Sequence, residues 1–216
     1  MSTDARALMA HHFDSPAQQR EAASLGMWVF LVTEIMFFGG LFLAYVVYRL
    51  SFPHAFAAAS HELDIVLGTT NTAVLIASSL TMALAVRSAQ QGRRLPLVAY
   101  LVLTMALGSV FLGIKTYEYH HKFVEGLIPG PGFSFPGPEA QHAQMFFCLY
   151  FAMTGLHALH MIIGLGVLAV MLVMGARGRF GPHYYNPIEC SGLYWHFVDI
   201  VWIFLFPLLY LVGRHG

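Results

Sequence analysis

Charge is what this sequence has least of. Asp, Glu, Lys and Arg make up only 10% of its 216 residues, and 57% are hydrophobic, whereas a typical soluble domain is about a quarter charged. That scarcity excludes an ordinary water-soluble fold, which needs polar side chains to cover its surface. Net charge is missing too, since eleven Lys and Arg balance eleven Asp and Glu. There is no basic field to hold a nucleic-acid backbone or a strongly acidic partner. Cysteine is limited to Cys148 and Cys190, with no CxxC or CxxCH, so covalent haem attachment and a thiolate metal site are both unsupported. The first 24 residues are polar and contain no apolar core followed by a small-residue cleavage site, so no signal peptide is expected. No internal repeat is visible.

What the sequence does have is long uncharged runs. Residues 25–48 carry only Glu34, residues 65–86 and 95–114 carry no charge, residues 140–176 carry none, and residues 190–213 carry only Asp199. About 20 apolar residues suffice to cross the bilayer core. The runs therefore predict an all-α polytopic membrane protein, a bundle of five transmembrane helices at about 25–48, 65–86, 95–118, 145–174 and 190–213. These form a single domain over 25–213 behind a polar tail at 1–24. Five such helices in a soluble fold would leave too little polar sequence to cover them, and a β-barrel would show short alternating segments instead. Asp64 suits the start of the second helix and Pro96 the first turn of the third. Residues 119–141 hold Pro129, Gly130, Pro131, Gly132, Pro136, Gly137 and Pro138, which predict one long external loop.

Alternating the sides puts Arg6, Arg20, Arg87, Arg93, Arg94, Arg177 and Arg179 with the N-terminus and Arg49, Lys115, Lys122 and Arg214 opposite. The basic excess predicts a cytoplasmic N-terminus and an external C-terminus. Cys148 then falls in the outer half of the fourth span and Cys190 on the cytoplasmic side of the fifth, too far apart for a disulfide.

Polar residues inside the spans are costly and so informative. Glu34 lies about nine residues into the first span, roughly 13 Å deep. It must be protonated, or else meet a donor on a neighbouring helix or in a wet pocket, and both a proton-linked and a structural role fit it. His196 and Asp199 share a face of the fifth helix and are expected to serve each other, with Trp195 at the membrane interface. His157 and His160 share a face of the fourth with Thr154 and Gly164, so that stripe faces protein. HxxH alone is a weak ligand set, and hydrogen bonding to a neighbouring helix or a lipid headgroup is the expected role. Asn71 and Ser78 read as hydrogen-bonding packing residues of the second helix, and Gly40 with Ala44 as a close helix seam. Lys115 and Glu118 are spaced to pair at the outer end of the third helix, with Lys115 snorkelling as an anchor.

The run Trp195-His196-Phe197-Val198-Asp199-Ile200-Val201-Trp202 resembles the last-helix signature of subunit III of haem-copper respiratory oxidases. Gly26-Met27-Trp28, Glu34, Phe37-Phe38 and Ala44-Tyr45 resemble an earlier helix of that family, Glu118-Tyr119 the end of a middle one, and Thr154-Gly155-Leu156-His157-Ala158-Leu159-His160 the penultimate one. The order agrees, over about residues 25–212. The chain is similar to the short five-helix bacterial forms, lacking the two N-terminal helices that wall a lipid cleft in the long forms. Lys115 stands where long members have glutamine.

The resemblance implies a subunit with no catalytic residue, metal or cofactor of its own. Haem and copper are expected on partner subunits I and II, with direct packing on subunit I, and phospholipid is a candidate ligand. It further implies a place in the bacterial cytoplasmic membrane and support of proton uptake during oxygen reduction, the complex acting as a cytochrome c oxidase. Two other readings stand beside it. One is an accessory protein of the same type associated with nitric oxide reductase. The other is a self-standing proton-coupled transporter using Glu34, His157 and His196, against which the missing inverted repeat weighs.

Overall fold

A computed structural model describes Phe13 and residues 15–136 and 139–211. The described residues form six α-helices: α1 Pro16–Ser51, α2 Pro53–His61, α3 Ile65–Gln90, α4 Arg94–Val124, α5 Ala140–Ala176 and α6 Asn186–Phe206, the last continued by a π-helical turn at Pro207–Leu211. Five of them, all but α2, are long and apolar enough to cross a membrane.

Local chemistry sets most of the ends. Ser15 caps α1 by accepting from the Gln18 amide at 3.2 Å, and Pro16 occupies the first turn. The helix therefore begins inside the stretch expected to be a polar tail, because a good cap precedes the apolar run by two turns. Asp64 caps α3 as expected, its carboxylate accepting from Val66 and Leu67 at 2.8 and 3.2 Å. Pro96 lies in the first turn of α4. α5 coincides with the charge-free residues 140–176. α4 instead runs on to Val124, so the external loop begins after it and Tyr119 is helical. The proline-rich segment that cannot propagate a helix starts only at Pro129. Pro207 has no amide hydrogen to donate back along α6, and the chain widens there into the π-turn.

Helix α2 was not foreseen. It is too short to span, and it buries Ala55, Phe56, Ala59 and Ser60, packing against α5 and the π-turn. Lys122, 3% exposed, fixes the turn after it by donating to the Glu62 carbonyl at 2.6 Å, while also pairing with Glu125.

The core is organised around α6, the most buried of the five spans, and α1 is the least. Trp195 lies fully buried in the bundle rather than at the interface. Its indole is gripped between Gly108 of α4 and Gly164 of α5, where an added Cβ would meet the ring at 2.8 and 3.0 Å, and its N–H donates to Ser78 at 3.0 Å. An indole that finds a hydrogen-bond acceptor within the protein has no need of the interface. One helical stretch further on, Trp202 donates to Thr72 at 3.1 Å and meets Phe111 edge-on at 4.8 Å. The Gly40–Ala44 seam does not form within this chain: nothing approaches within 4 Å of a Cβ at Gly40, while Ala44 packs partly buried against the core. Cys148 and Cys190 are both unpaired.

The glycine grip yields a prediction. Gly108→Ala forces a methyl into the rigid Trp195 ring and should cost about 1–3 kcal/mol, read as a lower thermal midpoint by circular dichroism. Gly166→Ala, with open space around it, should be neutral or slightly stabilising by helix propensity. Equal midpoints for the two variants would rule the grip out.

Candidate functional site

Polar side chains inside the bundle fall into those that are answered by a partner and those that are not. Glu34 is answered. It stands at the midpoint of the first span, residues 17–51, and its Oε2 lies 3.1 Å from His160 Nε2 on α5. His160 Nδ1 lies 2.8 Å from the Leu156 carbonyl, which can only accept, so Nδ1 carries a hydrogen. The neutral ring then presents a lone pair at Nε2, and a carboxylate facing it would repel. The contact therefore needs a proton, held either by the carboxyl or by an imidazolium. The Glu34–His160 dyad joins α1 to α5 near the midpoint of the first span. Phe38 and Tyr194 enclose it, with the Phe38 ring 5.3 Å from the imidazole and the Tyr194 hydroxyl donating to the His160 carbonyl at 3.1 Å.

His157, one turn earlier, has a different environment. It is 1% exposed, both ring nitrogens lack a hydrogen-bond partner among the described residues, and it packs on Phe111 and Trp202 at 5.3 Å each. The expected hydrogen bond to a helix or a headgroup is absent because aromatic faces close the space around the ring. Asn71 is likewise fully buried with both amide atoms unpartnered, whereas Ser78 donates to the Thr104 carbonyl at 3.3 Å. The protein-facing stripe holds for Thr154, His157 and Gly164, all buried.

His196 and Asp199 do not pair with each other. His196 Nδ1 is bound to Ser79 on α3 at 2.7 Å, and both Asp199 oxygens are buried without a hydrogen-bond partner among the described residues. Spacing put the two on one face, but a serine on the neighbouring helix reaches the imidazole first. Ser79 was missed because it lies in an uncharged run and is outwardly like Ser78 beside it.

Lys115 and Glu118 do pair, at 3.0 Å, yet they are no surface anchor. They are 3% and 2% exposed. Glu118 accepts from Tyr150 at 2.7 Å and from Tyr210 of the π-turn, while Lys115 lies 3.0 Å from the Tyr210 hydroxyl and about 5 Å from the Tyr150 and Trp202 rings. Snorkelling is prevented because the C-terminal turn and α5 cover the helix end. Tyr150 and Tyr210, which nothing in the sequence singled out, supply the hydroxyls that make the burial tolerable. Among the described residues, no three His, Cys, Asp or Glu side chains converge as a metal-ligand set.

With that geometry in place, the comparisons with known proteins are consistent among themselves. The cytochrome c oxidase subunit III family matches residues 7–214. The chain is 32% identical over 192 residues to the cytochrome bo(3) ubiquinol oxidase subunit 3 of Pseudomonas putida, covering 88% of this chain and 85% of that protein. It is 33% identical over 196 residues to the cytochrome c oxidase subunit 3 of Thermostichus vulcanus, covering 88% and 87%. A probable cytochrome c oxidase subunit 3 of Nocardia farcinica is also 33% identical, over 189 residues, with 88% and 87% covered. The chain belongs to the cytochrome c oxidase subunit III family. It is a multi-pass membrane protein, and its family places it in multi-subunit respiratory oxidases.

The buried ion pair generates the prediction here. Glu118→Leu strands the Lys115 ammonium and two tyrosine hydroxyls, and should cost about 3–5 kcal/mol. Lys115→Met leaves Glu118 with both tyrosine donors and should cost clearly less. Thermal unfolding of the two purified variants measures the order, and a larger loss for Lys115→Met would contradict the network as described.

Proposed function

We propose that this chain is the non-redox third subunit of a proton-pumping terminal oxidase, packed on subunit I in a complex that also contains subunit II. Haem and copper belong to those partners, and this chain supplies no catalytic group. The observation that carries the proposal is the family match along nearly the whole chain, and the bacterial source of its relatives supports a place in a bacterial cytoplasmic membrane. The N-terminus then faces the cytoplasm, following the basic excess on that side. Membership of the family favours this role over a free transporter, and no relative cited above bears the name of a nitric oxide reductase.

The Glu34–His160 dyad gives the chain a part in proton supply. A carboxyl and an imidazole sharing one proton in mid-membrane can take up or release it with little rearrangement, which suits a group buffering protons beside a pumping subunit. His196, Asp199, His157 and Asn71 have no such shared proton and serve packing or assembly. Phospholipid, if it binds, lies along the exposed apolar face of α1, where Leu25, Met36, Leu43 and Leu50 point outward.

The relatives divide on the electron donor: cytochrome c oxidase subunits stand at 33% identity and a ubiquinol oxidase subunit at 32%, so the cytochrome c reading rests on the family resemblance alone. Oxygen consumption by the purified complex with reduced cytochrome c, set against ubiquinol, is the measurement that checks it, and exclusive use of ubiquinol would overturn it.

Glu34→Gln keeps the shape of the dyad while removing its shared proton. The assembled complex should form in normal amounts and start oxygen reduction at the normal rate, with turnover or proton uptake falling several-fold during sustained activity. Undiminished turnover and pumping over the same period would leave Glu34 a packing residue.

A further inference from the structure

A cavity of about 350 Å³ opens between α3 and α6 onto the outer face of the bundle. Its rim is apolar: Leu80, Ile200 and Ile203 are 61%, 50% and 44% exposed. Its floor is polar, made by Ser79, His196 and Asp199. Asp199 is 3% exposed and both of its oxygens lack a hydrogen-bond partner among the described residues. Ser79 lies beside it with its hydroxyl bound to His196 Nδ1 at 2.7 Å. The hydrogen bond of the His196 ring is made through Nδ1, and the ring lines the cavity.

Depth decides what can complete this floor. Asp199 is 13 residues beyond Asn186 and 12 before Leu211 in its span, roughly 18–20 Å from either end at 1.5 Å per residue. The bilayer core has a half-thickness of about 15 Å, so lipid headgroups do not reach it and acyl chains carry no donor. A transmembrane helix of another protein can bring a polar side chain to any depth. An apolar rim with an unpaired polar floor is the complement of such a helix, and leaving the floor unpaired in hydrocarbon is costly.

We propose that a transmembrane helix of a partner subunit docks in the α3–α6 groove and places a hydrogen-bond-donating side chain on His196 Nε2. This rests on the proposed role within an oxidase complex. With Nε2 accepting, the ring carries its hydrogen on Nδ1 and donates it to Ser79 Oγ. The Ser79 hydroxyl hydrogen is then free to turn to Asp199. Each donor points inward, and one side chain from the partner completes the chain His196, Ser79, Asp199.

The test uses the intact complex, purified through this chain from membranes, with a photo-cross-linking phenylalanine analogue placed at Leu80 or at Ile203. Illumination should give an adduct of this chain with a larger subunit at both positions, identified by mass spectrometry. Adding His196→Phe removes the acceptor and should lower the adduct yield about two- to tenfold, the effect of losing one net hydrogen bond. Haem-containing complex that gives adducts with lipid alone, or with a second copy of this chain, overturns the docking site and leaves the proposed function standing. Adduct yield untouched by His196→Phe overturns the donor role of the partner side chain. Material without haem overturns both readings.

Discussion

A polar group inside hydrocarbon has no water to fall back on, and most of this structure follows from how each such group is answered. The backbone is answered by helices. Trp195 and Trp202 are answered by Ser78 and Thr72, which fixes the rotation of α6 against α3. Glu118 and Lys115 answer each other, and with Tyr150 and Tyr210 they tie the ends of α4 and α5 to the C-terminal turn. Gly108 and Gly164 complete the arrangement by leaving room for the indole that those hydrogen bonds hold in place.

The same constraint separates function from architecture. Glu34 is answered by an imidazole on a neighbouring helix instead of a fixed cation, whereas the Lys115 ammonium is enclosed by four aromatic rings. Two carboxylates within one family resemblance thus have opposite characters. Glu118 is a clamp saturated with donors, and Glu34 is half of a proton-holding pair. Asp199 belongs to neither type, since both of its oxygens are buried without a hydrogen-bond partner among the described residues.

Much of the fold could be read from the sequence because its determinants are local. The charge-free residues 140–176 form α5, a few residues longer at each end than the expected span 145–174, and Asp64 and Pro96 sit where capping chemistry puts them. The site was less legible, since spacing along one helix reveals a shared face but not the neighbour that face will meet. His196 and Asp199 share a face, and Ser79 of another helix took the imidazole. His157 and His160 share a face, and one meets a carboxylate while the other meets aromatic rings. Lys115 read as a surface anchor because nothing in its own helix announces that the π-turn after Pro207 folds over it. Helix α2 was invisible for a related reason: nine residues, four of them alanine, carry no spanning signal, and its burial depends on elements far away in sequence.

The account has one central claim, that the chain works as the non-redox third subunit beside redox-active partners in a respiratory oxidase. Gentle solubilisation of the native membrane followed by purification through this chain tests it most directly. The claim predicts larger subunits in fixed proportion, with haem absorbance and copper that are lost when those subunits are stripped away. A haem-free protein that purifies alone and carries protons across vesicle membranes would contradict it.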